Sequence, residues 1–501
     1  MNLKARFLDI STEPLILINP GDAAQIGGKD NDRVKIDGKR SAIALLNVSD
    51  FAEPGEAILS ANLQSKIVAS DGDDLRIIYA SGPESVRSIR KKMDNKKLTK
   101  EEIHDIVVDI LENRLSKIEI SAWLTALYIN GMDIEEIAAF ARAMADTGDK
   151  VEFDRTPVYD FHSMGGVPGN KITPIVVSIV AAAGLMLPKT SSRAISSACG
   201  TSDFVETFCD IELDAANLKR ISEKVGGVFA WGGSMNLAPV DDMVIKVEHP
   251  LGINPRAQML ASIISKKLAI GATHLVMDIP TGAGTKVPTI EVAKAYARDF
   301  MDLGEKLNIH IECAITYADQ PVGSAIGPKL EARECIRILE GQKHPSSVIE
   351  KACDLAGMIL EMGGFANGSE KAREILDSGA AMKKFREIVA AQNGNYDIRS
   401  EDLVPGEFVE DVISPSAGYV HSISNKDLVS IAIAAGSPSD KGAGLLIMKK
   451  KGQRVERGEL LFQIYGDSKA KVDRAKELAT KYKPFDIEGM LLKKIAPPRT
   501  R

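Results

Sequence analysis

Four short segments concentrate side chains and backbone that can hold an anion. The first is Asp160-Phe161-His162-Ser163-Met164-Gly165-Gly166-Val167-Pro168-Gly169-Asn170-Lys171-Ile172-Thr173. Its glycines let the backbone approach a ligand closely, and a helix starting at its end offers free amides and partial positive charge. Ser163, Lys171 and Thr173 add donors, so the run reads as a phosphate cradle. It is not a P-loop, because Asn170 stands where that motif needs glycine and Ile172 where it needs a hydroxyl. The second segment, Lys189-Thr190-Ser191-Ser192-Arg193-Ala194-Ile195-Ser196-Ser197-Ala198-Cys199-Gly200-Thr201-Ser202-Asp203, packs hydroxyl groups around one arginine. Burying so many is costly unless something accepts their hydrogen bonds. In the third, Ser262 and Lys266 are four residues apart and share a helix face. The fourth, Asp278-Ile279-Pro280-Thr281-Gly282-Ala283-Gly284-Thr285-Lys286, is a glycine turn whose lysine can hold a second anion. Taken singly, each has a plain structural reading: a ligand-free turn, a solvated loop, a capped surface. Their common placement is what argues for a site.

That placement follows from the elements around them. After Asp154, short apolar runs at Val158 to Phe161, Met186 to Leu187, Val228 to Trp231, His274 to Ile279 and Ile309 to Thr316 read as strands. Helical stretches separate most of them, the pattern of βαβ units in a mainly parallel sheet. Such sheets bind ligands beyond the C-terminal ends of their strands, where three of the four segments fall.

The rest of the chain reads as further modules. Residues 1–84 form a small β-rich unit, with runs at Arg33 to Ile36, Ala42 to Val48 and Leu75 to Ala80 and an Asp37-Gly38 hairpin signal. Residues 85–150, joined by about 236–270, read as a helical domain. Thr99 with Glu102 and Ser116 with Glu119 have capping-box spacing, and Ile103, Val107 and Ile110 supply an apolar face. Residues 151–408 hold the α/β domain. Residues 409–501 return to short strands and resemble the barrel-sandwich fold of biotinyl and lipoyl carriers. Lys449 stands too near the Gly452 to Gly458 run for a carrier lysine, so a structural use is expected there.

Composition bounds the function. With 501 residues, 44% hydrophobic and 26% charged, the chain is globular and multi-domain, and its net charge of -6 argues against a surface built for nucleic acid. No apolar run reaches the roughly 18 residues of a membrane span, and Met1 to Ile10 lacks a secretory signal. A cytoplasmic protein is expected, without nucleic-acid or membrane partners. Cys199, Cys209, Cys313, Cys335 and Cys353 form no CxxC pair, so neither zinc nor a disulfide framework is suggested.

His162-Ser163-x-Gly165-Gly166-Val167, Ser191-x-Arg193, Gly200-Thr201, Ser262-x-x-x-Lys266-Lys267 and the Gly-Ala-Gly turn follow the order and spacing of the thymidine and pyrimidine-nucleoside phosphorylases. The chain resembles most the AMP phosphorylase branch of that family, through the proline in its GGVPGNK run, the Ser-Ser-Arg-Ala-Ile-Ser-Ser run and Lys286. The likeness spans nearly the whole chain, including an N-terminal extension that resembles a double-psi barrel.

The resemblance implies an α/β enzyme that cleaves a nucleoside monophosphate with inorganic phosphate as co-substrate and without a cofactor or metal. It implies that phosphate meets His162, Ser163, Lys171, Thr173, Ser191 and Thr201. The nucleotide would meet Gly166, Ser192, Arg193, Ala194, Ile195, Ser196, Ser197, Thr201, Ser262, Lys266 and Lys286. A homodimer or higher homo-oligomer is implied too. One departure stands out: Asn254 occupies the position of the family's acidic proton donor, and an amide delivers no proton. Either Asn254 only polarises the base, or the proton comes from a neighbour such as His249, Asp242 or bound water; His162, at the mouth of the first loop, could be a phosphate ligand or a proton donor. Three other readings compete: a nucleoside phosphorylase without a 5′-phosphate site, an anthranilate phosphoribosyltransferase type using Asp241-Asp242 for magnesium, and a non-catalytic nucleotide-binding assembly protein.

Overall fold

The computed structural model describes residues 1–8, 14–194 and 197–490. The chain divides into two compact units, Met1–Gly148 with Ala238–Ser265 and Asp149–Leu237 with Lys266–Arg501.

In the first unit, strands β1 (Asn2–Leu8), β2 (Leu15–Ile18), β3 (Arg33–Asp37), β4 (Ser41–Val48), β5 (Glu56–Ser60) and β6 (Asp74–Tyr79) close into a barrel. Leu3, Ile16, Ile18, Val34, Ile36, Leu46, Leu59, Leu75 and Ile77 alternate along these strands and fill its interior. The Asp37-Gly38 signal is a real hairpin, with β3 and β4 antiparallel and Asp37 opposite Ser41.

The helices of this unit begin where their caps dictate. Thr99 and Ser116 each accept from the third helical amide, while Glu102 and Glu119 reach back to the cap amide. A third capping box, Asp133 with Glu136, starts the helix Ile134–Asp146. The Glu136 carboxylate also holds the buried Lys92 ammonium, at 3.0 Å from both oxygens. The helix Lys117–Asn130 is apolar nearly all round: Trp123, Leu124 and Leu127 are buried, while Ile118, Tyr128 and Ile129 are exposed.

In the second unit, β7 (Tyr159–Ser163), β8 (Leu187–Ser191), β9 (Gly227–Trp231), β10 (His274–Thr281) and β11 (His310–Tyr317) all pair in parallel. They divide into a three-stranded sheet, β11-β10-β7, and a two-stranded one, β8-β9. β8 runs further than expected. Its Lys189 and Thr190 are buried strand residues, although polar types there read as the start of a loop. The helix Thr173–Ala182 has nine of its ten residues buried, as expected of a helix that is apolar on every side. It packs into the main core with Ile336, Ile359, Phe385 and Ile388.

The chain then adds the short strand β12 (Ala325–Ile326), followed by β13 (Phe408–Ile413), β14 (Gly418–Ile423), β15 (Gly444–Ile447), β16 (Arg454–Val455), β17 (Leu460–Gly466) and β18 (Phe485–Glu488). These form two small antiparallel sheets, β12-β15-β17-β13 and β16-β14-β18, accompanied by helices Asn425–Ala434 and Lys469–Tyr482. β12 comes from the α/β part and pairs with β15, so the terminal module is zipped to its neighbour by backbone hydrogen bonds. Lys449 is used structurally, paired with Glu459. Among the described residues, no helix is long and apolar enough to cross a membrane.

Candidate active site

Parallel pairing brings strand ends together. Ser163, at the end of β7, is in register with Asp278 of β10, and His162 with Met277. Ser191, at the end of β8, is in register with Trp231 of β9.

Beyond β7 the chain turns through Gly165 and Gly166, at φ +75° and +87°. A side chain at Gly166 would meet the Lys286 amide at 3.0 Å and its Cγ at 3.3 Å. The phosphate-type loop and the Gly282-Ala283-Gly284 turn are thus in direct contact, which only a residue without Cβ permits at this φ. Ser163 Oγ accepts from Asn170 Nδ2 at 3.1 Å and from the Gly165 amide at 3.4 Å, which leaves its own proton to donate. Thr173 opens the helix Thr173–Ala182, whose N-terminal amides have no side-chain cap. Amides left open at a helix start suit an anion.

The second loop is drawn tight on itself. Asp203 Oδ2 accepts from the amides of Ala194, at 2.7 Å, and Gly200, at 2.8 Å. Ser191 Oγ shares a 2.9 Å hydrogen bond with Ser202 Oγ, and the Ser202 amide donates to the Ser192 carbonyl. Thr201 follows Gly200 as the first residue of a short helix, and Ser192 and Ser197 are exposed. Ile195 and Ser196 lie outside the described residues.

Electrostatics concentrate on His162. Enclosure by protein pulls its pKa well below the ordinary 6.5, and the positive charges of Lys267, Lys189, Lys266 and Lys286 push it the same way. Four lysines acting on one imidazole make the potential at His162 positive. Two of them are held by a carboxylate that the sequence left without a role. Asp160, fully buried on β7, takes the Lys267 ammonium at 2.6 Å and the Lys189 ammonium at 3.4 Å. Burial still pushes Lys189 down to about 7, with Asp160 opposing and Lys267 adding to the fall. Asp278 is buried likewise, 2.8 Å from the Lys351 ammonium and accepting from Thr316 Oγ1 at 2.5 Å.

Two expected ligands have other occupations. Lys171 has no exposed surface; its ammonium donates to Glu334 Oε2 at 2.7 Å and to the Val322 carbonyl at 2.9 Å. These bonds brace the loop. The Arg193 guanidinium pairs with Glu206 at 2.5 Å and Glu212 at 3.2 Å and lies 4.8 Å over the Trp231 ring. It fastens its loop to the protein. Sequence spacing could not reveal partners so far along the chain.

Asn254 and Ser262 belong to the first unit. Asn254 is exposed before the helix Arg256–Ala269, its amide 4.0 Å from the Met259 sulfur. The Ser262 carbonyl accepts from Ser265 Oγ. His249 and Asp242 are exposed on the helix Pro239–Leu251, whereas Asp241 is buried and accepts from Gln258 Nε2 at 3.2 Å. Among the described residues, the grouping of side chains with metal-ligand spacing is His421, Asp486 and Glu488 on the terminal module, and it includes neither Asp241 nor Asp242.

Comparison with known proteins agrees with this architecture. Residues 86–148 match the glycosyl transferase family helical bundle domain, 155–382 its a/b domain, and 419–485 the pyrimidine nucleoside phosphorylase C-terminal domain. The chain is 46% identical to the AMP phosphorylase of Methanococcoides burtonii over 503 residues, 99% of each chain. It is 48% identical to that of Thermococcus kodakarensis and 47% to that of Pyrococcus furiosus, again over 99% of each. An anthranilate phosphoribosyltransferase from Thermus thermophilus shares the fold alone, at TM-score 0.50 and 21% identity, covering 61% of this chain and 99% of that one.

Proposed function

Because this chain belongs to the AMP phosphorylase family, we propose that it splits AMP with inorganic phosphate into adenine and ribose 1,5-bisphosphate, with CMP and UMP as further candidate substrates. The observation that carries this reading is the cluster of four lysines acting on His162, beside open helix amides and the Ser163 hydroxyl.

In the reaction a phosphate oxygen forms a bond to C1′ as the bond from C1′ to the base nitrogen breaks. The base leaves with the electron pair, and C1′ is inverted. The transition state resembles an oxocarbenium ion, so rate depends on holding the anion at C1′ and on stabilising charge on the base. Ser163, Thr173, Ser191, Thr201 and a neutral His162 donate to phosphate on this reading. Gly166, Ser192, Ala194, Ser197, Ser262, Lys266 and Lys286 line the nucleotide, Lys286 serving its 5′-phosphate. Lys171 and Arg193 act one step back, as braces of the two loops. Asn254 polarises the base by a hydrogen bond, and the proton reaches the base from water.

The test is to incubate the protein with phosphate and each nucleoside monophosphate and to identify the products. Free adenine with ribose 1,5-bisphosphate is expected. Nucleoside or ribose 1-phosphate as the product contradicts the reading.

We also propose that subunits pair through the helical region. Ile118 and Ile129, 75% and 72% exposed on the helix Lys117–Asn130, support a covered face. Light scattering at the mass of one 54.0 kDa chain contradicts it.

A further inference from the structure

Residues 318–326 touch three parts of the second unit at once. Toward the glycine turn, Asp319 Oδ1 accepts from the Ala283 amide at 2.7 Å and the Ala318 amide donates to Thr281 at 3.0 Å. Toward the phosphate-type loop, the Val322 amide donates to Pro168 at 3.0 Å, and the Val322 carbonyl accepts from Lys171. Packing there is tight: a Cβ at Gly169 would stand 2.6 Å from the Val322 oxygen and 2.8 Å from that of Ala325.

The third side belongs to the C-terminal module. Asn425 Nδ2 donates to the Ala318 carbonyl at 2.9 Å, and the Ile447 amide to the Ser324 carbonyl at 2.7 Å. Two lysines stand among these neutral bonds: Lys451, whose ammonium is 3.6 Å from Asp319 Oδ2, and Lys450. Lys450 donates to the carbonyl of Pro321, at 2.8 Å, and to that of Gly323. Those two carbonyls flank Val322, whose own carbonyl receives Lys171.

Backbone pairing of β12 with β15 already joins the module to the segment, so Lys450 is not needed merely to attach it. A half-buried ammonium is a costly connector. Burial pushes Lys450 down to about 7, the nearby Lys171 charge lowers it further and Glu334 opposes the fall. What the ammonium adds over a neutral contact is rigidity at two consecutive turns of the chain on either side of Val322. We propose that Lys450 is a positioning residue for phosphate: from the C-terminal module it fixes Pro321 and Gly323, and through Val322 and Lys171 it sets the loop that carries Ser163 and Thr173. The proposal rests on the phosphorolytic reading above, and it makes the C-terminal module part of the catalytic apparatus.

The test uses the full-length protein and measures KM for phosphate and for AMP separately. Lys450→Met is expected to raise the phosphate KM about tenfold, in line with the cost of small misplacements around a reacting group, with the AMP KM within about twofold of wild type. Lys450→Arg, able to donate to both carbonyls, is expected to recover most of the loss, and Lys449→Met to change neither constant. If Lys450→Met lacks a cooperative melt, Lys450→Gln carries the same comparison with a rise of about threefold. An unchanged phosphate KM, an equal rise in both constants, no rescue by arginine, or failure of both neutral variants to fold overturns the proposal. If the wild type does not phosphorolyse AMP, the functional reading fails instead, and the variants are compared by calorimetric titration with inorganic phosphate, where the same ranking is expected.

Discussion

The Lys267 ammonium lies 2.6 Å from a carboxylate oxygen of Asp160, and both groups are buried beside the strand end that presents His162 and Ser163. Asp160 shares that carboxylate with Lys189, so one anion holds two cations. On the proposed reading, this positive charge is what the attacking phosphate meets.

Asp160→Asn is therefore expected to leave two buried ammonium groups without their counter-charge. Removing one partner of a buried pair costs about 3–5 kcal/mol. Lys189, already pushed down to about 7, loses its proton near neutral pH once the opposing Asp160 charge is gone. Denaturant unfolding should show the loss of stability, and saturating phosphate should return part of it by supplying a replacement anion. Stability equal to wild type contradicts this account.

His162 should stay neutral well below pH 6.5 in the free protein, since enclosure and four lysines all disfavour the imidazolium. The sign of its contribution follows. The unfolded chain takes up a proton near the ordinary histidine pKa and the folded chain does not, so stability is full above about pH 6.5 and declines as pH falls below it. A bound phosphate dianion reverses the field and raises the pKa of His162. Histidine NMR titrations with and without phosphate read both effects; a pKa that is ordinary and unmoved by phosphate is inconsistent with His162 at the anion.

Asn254→Asp should place a carboxyl at the position where the resemblance implies an acidic proton donor. Positioned acids contribute roughly 10²–10⁴-fold, so kcat is expected to rise by at least about tenfold, with a new loss of rate on the alkaline side as the acid ionises. A kcat that does not rise removes Asn254 from the proton path.

Much of the fold was legible because the signals were local. Apolar runs mark the five parallel strands β7 to β11 but not the two-residue β12, and hydroxyl with carboxylate spacing marks the helix starts at Thr99 and Ser116. The third box, Asp133 with Glu136, has the same spacing with a carboxylate in place of the hydroxyl. Polar residues inside β8 hid its true length, because Lys189 is buried by a partner 29 positions away, at Asp160. The same limit governed the site. Lys171 looks like a phosphate ligand until Glu334, 163 residues later, takes its ammonium, and Arg193 looks free until Glu206 and Glu212 are in place. Residue type and spacing locate the loops, whereas the target of each charge is a property of the folded chain.

The central claim is that two anions are held, one attacking and one belonging to the substrate, and the ratio of kcat/KM for AMP to that for adenosine tests it most directly at fixed phosphate. Loss of charge-assisted hydrogen bonds to the 5′-phosphate is worth about 1.5–3 kcal/mol each, so AMP should be preferred by well over about tenfold. Equal rates on the two substrates contradict a separate site for the nucleotide phosphate.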